Sequence, residues 1–208
     1  MMQVLSSVEA TPVKNSLPKE LTVMVNDFSS DMPTHMLAVY SRQSSVSPNP
    51  TRRVMLFPTH NIVMALHCAH LPMLPKSTAT EPDSVGQMTL PVIPLCVPSP
   101  ETFSRLSSYL YTKDASHLLS MLLPTGMLTS LLSHADMLDA DAPEVQQFSN
   151  KLCATYTPHA LLTHAMTING LWRNVCALGI FDARLWEVLD LAWDIVIGAL
   201  EGKDEANQ

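Results

Sequence analysis

Three side chains that commonly bind zinc lie close together in the segment HCAH, residues 67–70. His67, Cys68 and His70 are imidazole and thiol side chains of the kind that Zn²⁺ takes as ligands in proteins. On a helix, however, residues i, i+1 and i+3 do not share one face, and no second ligand pair follows at zinc-finger spacing. The sequence therefore predicts packing at the core and its rim for these residues, and no metal site.

Two cysteines in the C-terminal half could act as nucleophiles with a neighbouring histidine as base. Cys153 or Cys176 would be paired with His159 or His164. Each cysteine falls within an apolar helical stripe, where a buried thiol is unreactive. The chain also contains no GxSxG elbow, P-loop or GxGxxG motif. We predict no catalytic and no cofactor-binding residue, and an enzyme whose site is assembled from distant residues is the main alternative.

The last predicted helix carries an acidic stripe beside two tryptophans. Its carboxylates recur at spacings of three, four and seven residues: Glu187, Asp190, Asp194 and Glu201. Such a stripe is usually a solvated helix face, and otherwise favours a partner with a basic complement over acid–base catalysis. Tryptophans 172, 186 and 193 are typical core residues, and any that stays exposed becomes a candidate interface anchor. The predicted partner-binding residues are Trp186, Glu187, Asp190, Trp193 and Asp194.

Charge and composition argue against several classes of protein. The net charge is −7, and the 12 Lys and Arg residues are too scattered for phosphate-driven binding of nucleic acid. Four cysteines without a CxxC pair favour reduced core thiols and an intracellular protein, nuclear or cytoplasmic. The N-terminus does not resemble a secretory signal. The uncharged run Ala115–Ala135 predicts two short helices that break at Leu123–Pro124 and not a membrane span.

Apolar patterning predicts a mixed first half. Two strands joined as a hairpin are followed by a helix and a third strand, at Met32–Ser41, Arg53–Phe57, residues 58–71 and Met88–Val97. The apolar face of that helix consists of Ile62, Val63, Leu66, Ala69 and Leu71. Pro91 and Pro94 make the third strand typical of a sheet edge. Ser99 as N-cap and Pro100 at the first position then predict a helix to Thr112.

The second half predicts helices only, at Pro143–Tyr156, His159–Leu178 and Ala183–Leu200. A chain of 208 residues is long enough for one substantial domain with a helical extension. We predict a flexible lead over residues 1–20, an α+β part over 21–135, a helical extension over 136–201 that packs on it, and a flexible tail over 202–208. The Ser/Pro segment Ser41–Thr51 is predicted as a loop, and its phosphorylation is an open hypothesis.

Three stretches carry a resemblance to a known family: PTHMLAVYSR (33–42), FPTHNIVMALHCAHLP (57–72) and LPVIPLCVPSPETFSRLSSYLYTKD (90–114). They resemble the clampless protein family of basidiomycete fungi, and the similarity covers most of residues 21–200. The resemblance implies a regulator of clamp-cell formation and dikaryon growth under the mating-type programme. It implies no enzymatic activity, and it gives no catalytic residues to carry over. The implied partners are other regulatory proteins, including transcription factors of that programme.

The order of elements over residues 32–124 is also similar to a BTB/POZ domain, a mixed fold used for protein–protein association. In that fold a strand enters a helix through a His-containing turn, as at Phe57–His60 here, although Thr59 replaces the usual acidic residue. A later strand leads into a helix patterned F-x-x-L-x-x-Y-L-Y-T. The matching residues are Phe103, Leu106, Tyr109, Leu110, Tyr111 and Thr112.

Taken together, these patterns predict an α+β fold, a small BTB/POZ-like mixed domain followed by a C-terminal helical extension. The predicted function is that of a non-enzymatic regulatory protein of fungal sexual development, acting through protein–protein interaction. A homodimer is a further option, whereas direct binding to nucleic acid or a membrane is not expected. Besides an enzyme, the alternative is a structural oligomerisation module.

Overall fold

The protein is mixed α+β in a computed structural model, which describes residues 17–25, 31–41, 54–77, 82–84, 86–124 and 143–206. The strands are β1 Glu20–Met24, β2 His35–Tyr40, β3 Met55–Thr59 and β4 Gln87–Cys96. The helices are α1 Asn61–His67, α2 Phe103–Thr112, α3 Ala115–Leu122, α4 Pro143–Thr155, α5 Pro158–Leu178 and α6 Ala183–Ala206. The predicted order is confirmed from β2 onward, whereas β1 was not predicted. The Ser41–Thr51 loop, apart from its first residue, lies outside the described residues.

Two compact units divide the chain. The first unit contains residues 1–104 and 176–180, and the second contains residues 105–175 and 181–208. The boundary predicted between residues 135 and 136 falls outside the described residues. The first unit holds the sheet and the second holds most of the helical residues.

The four strands form one sheet in the order β1-β4-β2-β3. β2 and β3 pair antiparallel, which confirms the predicted hairpin, while β2 and β4 run parallel. β1 pairs antiparallel with the first half of β4, from Gln87 to Pro91, and β2 pairs with its second half, from Val92 to Cys96. The prediction that this third strand lies at a sheet edge is therefore wrong, because β4 has a neighbour on each side.

The prolines of β4 occupy positions where the ladder needs no donor. The N–H of Val92 donates to the carbonyl just before β1, and the N–H of Val97 donates to the last carbonyl of β2, each at 2.9 Å. Since successive N–H groups alternate in direction, the backbone N–H groups of even-numbered residues in β4 point toward β1 and those of odd-numbered residues point toward β2. The nitrogen of Pro94 points toward the β1 side, but the pairing with β1 stops at Pro91. The nitrogen of Pro91 points toward the β2 side, where the pairing with β2 starts only at Val92. A strand with two prolines can therefore lie inside the sheet.

Apolar side chains cover both faces of the sheet. On one face Val23, Val25, Met36, Met88 and Leu90 form a buried cluster. On the other face lie the buried side chains of Leu37, Val39, Ile93 and Leu95. Phe57 belongs to that second face, and its ring meets that of Phe103 edge-on, with centroids 4.9 Å apart. Phe103 thus packs on the sheet within the first unit.

The helix α1 is shorter than predicted and packs through a different residue. It ends at His67, not Leu71, and Met64 is its buried residue. The predicted face is wrong in its main members, because Ile62 is 64% and Leu66 is 73% exposed. In a helix of fewer than two turns, residues two positions from Met64 lie on the opposite side, so burial of Met64 exposes both.

Side chains from elsewhere complete some helix ends. The N-cap residue of α1, His60, makes no capping hydrogen bond, and Thr34 Oγ1 accepts from the N–H of Asn61 instead, at 2.8 Å. Ser99 occupies the predicted N-cap position but makes no side-chain capping bond, and its hydroxyl donates to Glu101 Oε2 instead. Pro100 starts a short 3₁₀ turn that leads into α2 at Phe103. Pro100 therefore lies at the first position of the helical segment, as predicted.

Helix α6 packs on α4 and on α3 within the second unit. The α4–α6 contact is close because Gly198 and Gly202 lie one turn apart on α6. A Cβ at Gly198 would lie 3.4 Å from Ser149 Oγ, and one at Gly202 would lie 3.3 Å from Cys153 Sγ. Small residues on both helices therefore set the distance between them. The predicted helices 143–156 and 159–178 are confirmed within one residue, whereas the helix predicted to end at Leu200 continues to Ala206.

Replacing Phe103 with Asp is expected to unfold the first unit, because the charge would be buried against Phe57 without a partner. Leu66→Asp, at a position 73% exposed, is the matched control. In urea denaturation followed by circular dichroism, Phe103→Asp should lower the free energy of unfolding by more than about 4 kcal/mol. Leu66→Asp should change it by less than about 1 kcal/mol. Equal effects of the two changes would contradict this account of the core.

Candidate functional site

A cluster of three tryptophan rings lies where α5 and α6 meet. Trp172 of α5 contacts Trp186 and Trp193 of α6, with ring centroids 6.1 and 6.4 Å apart. The rings are nearly perpendicular, at 79° and 80°, which is the edge-to-face geometry that aromatic pairs prefer. All three side chains are half-buried, so the cluster belongs to both the core and the surface.

The spacing of α6 places two tryptophans and a carboxylate on one face. Trp186 and Trp193 are separated by seven residues, about two helical turns, and Asp190 lies between them at four and three residues. A neighbouring stripe of α6, about 100° around the helix axis, is buried. It consists of Leu185, Leu189, Ala192, Val196 and Ala199, spaced by four, three, four and three residues. Burial of that stripe fixes the rotation of the helix. We call Trp172, Trp186, Asp190 and Trp193 the tryptophan face.

Carboxylates border the tryptophan face. Glu187, Asp190 and Asp194 are all exposed, and Glu187 pairs with Arg184 at 2.9 Å. Among the described residues, Asp190 has no cationic partner. The structure therefore brings the predicted Trp186, Glu187, Asp190, Trp193 and Asp194 together on one exposed part of α6, and that they bind a partner stays a prediction.

Trp172 was missed as a site residue because its sequence context predicts core packing. Its contact with the other two tryptophans arises from the packing of α5 on α6, and no periodicity within α5 indicates it. The recurrence of tryptophan on two successive helices was the available signal.

A polar network in the second unit joins the end of α2 to the start of α6. Asp182 caps α6 by accepting from the N–H of Leu185 at 3.2 Å. The same carboxylate accepts from the Tyr109 hydroxyl at 3.2 Å and from Lys113 Nζ at 2.9 Å. Lys113 has a left-handed backbone, with φ of 54°, and its N–H closes α2 on the carbonyl of Tyr109. One carboxylate thus serves three donors.

The network shifts two pKa values in opposite directions. Burial, then the charge of Asp182 and the hydrogen bond to it, raise the pKa of Tyr109 well above its usual range. Partial burial alone would raise the pKa of the Asp182 carboxyl, but the donors Lys113, Leu185 and Tyr109 together lower it below its ordinary value. The phenol therefore stays protonated as a donor, and the carboxylate stays charged, so neither group is poised near neutral pH for proton transfer.

The HCAH segment closes the end of a distant helix. The N–H groups of Ala69 and His70 donate to the carbonyls of Gly179 and Leu178 at 3.2 and 2.9 Å. Cys68 is buried, His67 half-buried and His70 exposed. No group of three metal-binding side chains occurs within the part of the chain that the structure describes. The backbone N–H groups of this segment thus complete the C-terminal end of α5.

The cysteines differ from the prediction of four core thiols. All are free, but only Cys68 is buried, while Cys153 is half-buried and Cys96 and Cys176 are exposed. Cys176 lies on the outer side of α5, so the prediction that it belongs to a buried stripe is wrong. Of the described histidines, none lies within hydrogen-bond distance of Cys153. His164 instead bonds through Nδ1 to the carbonyl of Leu122 at 2.8 Å, which holds the end of α3.

Within the described ranges, no helix combines the length and the apolar character that a bilayer crossing requires.

Two family models match successive parts of the chain. The Clampless protein 1 N-terminal domain matches residues 1–98, and the Clampless protein 1 C-terminal domain matches residues 116–208. Two curated proteins called Clampless protein 1, from two strains of Cryptococcus neoformans var. neoformans serotype D, are each 31% identical over 134 residues. The alignment covers 64% of this chain. It covers 24% of each relative, so the chain spans about a quarter of the length of these proteins. No solved structure matches the chain.

The chain is a mixed α+β protein in which one helical face combines tryptophans with neighbouring carboxylates. The matches at both ends show that the chain belongs to the clampless protein family, which confirms the resemblance seen in the sequence. Membership of this family connects the chain with basidiomycete development. The BTB/POZ-like assignment of residues 32–124 stays a prediction.

Asp182→Ala is expected to destabilise the second unit by about 2 kcal/mol, because it removes a helix cap and leaves the buried Tyr109 hydroxyl without its acceptor. Asp182→Asn keeps an oxygen acceptor and loses only the ion pair, so its cost should stay below about 1 kcal/mol.

The pKa of the Asp182 carboxyl is lower in the folded protein than in the unfolded chain. The contribution of this carboxylate to stability is therefore complete above the unfolded-state pKa and is lost as pH falls through the folded-state pKa. Chemical denaturation between pH 7 and pH 2 should therefore show a smaller loss of stability in acid for Asp182→Asn. An identical acid dependence in both proteins would contradict this role.

Gly179→Ala is expected to destabilise the first unit for two separable reasons. Gly179 has φ of +63°, and an added Cβ would lie 2.8 Å from His70 Nδ1. The strain in φ costs about 1 kcal/mol, and the contact with His70 adds to it. Combining Gly179→Ala with His70→Ala should recover the part due to the contact, as measured by the midpoint of urea unfolding. Additive effects of the two changes would show that His70 yields without cost.

Proposed function

We propose that this protein is a non-enzymatic regulator of fungal sexual development that acts through protein–protein interaction, with the tryptophan face as its partner site. The observation that carries the proposal is the half-burial of Trp172, Trp186 and Trp193 in one contiguous cluster. Tryptophan is the residue most enriched among those that dominate binding energy at interfaces. Family membership supports the developmental role.

The arrangement suits recognition because its support is rigid. The buried stripe of α6 and the close packing of α4 at Gly198 and Gly202 hold the helix in place. The ring of Trp172 contacts both tryptophans of α6. Aromatic side chains with few rotatable bonds lose little conformational entropy when a partner covers them. A preformed face of this kind supports binding without prior rearrangement.

We also propose that residues 32–124 form a BTB/POZ-like unit, a fold used for association. The hairpin β2–β3, the turn at His60, the parallel return of β4 and the helix α2 support this assignment, since they occur in the order that the pattern predicts. The buried Phe103, Leu106, Tyr109 and Leu110 support it further.

The partners that we propose are other regulatory proteins of the mating-type programme, including transcription factors, with a second copy of the chain as a further option. We place the protein inside the cell, in the nucleus or the cytoplasm. Four free cysteines, three of them accessible at least in part, favour a reducing compartment.

Loss of the tryptophan face should abolish clamp formation without unfolding the protein. We expect Trp193→Ala and Asp190→Lys, introduced at the chromosomal locus of the source fungus, to reduce clamp cells and dikaryon growth. Phe181→Ala is the matched control, because Phe181 is an aromatic residue of the same unit that is 88% exposed and lies outside the cluster. Development should be normal in that strain.

The abundance and melting temperature of each variant separate folding from function. Asp190 is exposed, so Asp190→Lys should leave both unchanged, whereas Trp193→Ala should lower stability by a few kcal/mol at most. Normal clamp formation in strains that contain folded Trp193→Ala and folded Asp190→Lys would refute the proposed site.

A further inference from the structure

We infer that the tryptophan face receives a cationic side chain of its partner, an arginine in preference to a lysine. This inference rests on the proposed function and specifies the chemistry of the partner. It follows from three observations on the described residues: the arrangement of the rings, the charge beside them, and the cost of the other occupants.

The indole rings offer a surface to a cation, because all three tryptophans are only half-buried. Trp172 stands at about 80° to both Trp186 and Trp193, with centroid distances of 6.1 and 6.4 Å. The face of an indole ring attracts a cation within about 6 Å of its centroid, and tryptophan does so more strongly than tyrosine or phenylalanine.

The charge beside the rings has the matching sign. Asp190 lies between Trp186 and Trp193 on the helix, is exposed, and has no cationic partner among the described residues. Glu187 and Asp194 extend the negative region, and Glu187 shares its charge with Arg184. The chain as a whole carries a net charge of −7. An approaching positive segment is therefore attracted before contact is made.

Other occupants fit less well. A wholly apolar segment that covered the tryptophans would also cover Asp190, and an ionised carboxylate buried without a partner is costly. An acidic segment would be repelled by the same charge. A cationic side chain stacks on an indole and pairs with the carboxylate at once. The planar guanidinium of arginine does both better than an ammonium group, because it stacks flat and donates two parallel hydrogen bonds.

Intrinsic fluorescence provides a probe confined to this site, because the chain contains only three tryptophans and all three belong to the cluster. We would titrate the full chain with four synthetic peptides of one design, in which glycine alternates with arginine, citrulline, glutamate or leucine. Citrulline has nearly the shape of arginine without its charge. The arginine peptide should give a saturable change in fluorescence, and the citrulline peptide should bind at least about tenfold more weakly.

Variants test whether the carboxylate takes part. Asp190→Asn should weaken binding of the arginine peptide about tenfold and reduce its dependence on salt concentration. Glu201→Gln removes an exposed carboxylate eleven residues further along the same helix and should have no effect. Asp190→Asn keeps the size of an exposed side chain, so an unchanged melting temperature will confirm that both variants are folded.

The outcomes separate this inference from the proposed function. Equal binding of the arginine and citrulline peptides, no saturable change with arginine, or full binding by Asp190→Asn would overturn the cationic partner. Tighter binding of the leucine peptide would overturn it too and identify an apolar partner at the same face. The clamp-formation result for Trp193→Ala is measured independently of these peptides, so it decides the proposed function whichever peptide binds.

Discussion

The hydrogen bonding of β4 is the constraint on which the first unit depends. This strand pairs with β1 along one half and with β2 along the other, while two of its ten residues have no N–H. The buried face of β4 also changes near Pro91: Met88 and Leu90 are buried on one side, and Ile93 and Leu95 on the other. One strand thereby joins an apolar cluster on each face, and its end leads directly to the turn that seats Phe103.

Contacts between segments far apart in the sequence fix two helix ends: Thr34 completes the start of α1, and the backbone of residues 69 and 70 completes the end of α5. The Asp182 cap at the start of α6 is local, because its carboxylate meets the N–H three residues later. The other two depend on the tertiary fold, so capping patterns within a short window do not reveal them.

The parts of the fold that were predictable are those whose pattern is long or repeated. The helices α4, α5 and α6 each contain 13 residues or more, and α2 follows a strong proline signal. Short elements were predicted less well. β1 has only five residues, although Leu21, Val23 and Val25 alternate as a half-buried strand requires. α1 has seven, and over so short a length Ile62, Leu66 and Met64 are equally good candidates for the packed face. Which of them is buried is decided by the sheet beneath.

The candidate site shows the same division between local pattern and tertiary packing. The stripe of leucine, valine and alanine on α6 determines which residues of that helix stay at the margin, so Trp186, Asp190 and Trp193 could be assigned to one face from spacing alone. Whether a tryptophan at the margin ends in the core or at the surface depends on what lies opposite it. Here the residue opposite is Trp172, another large ring, and all three indoles are half-buried. All three are typical core residues by type, yet each keeps a part at the surface, beside a carboxylate that restricts what can cover them.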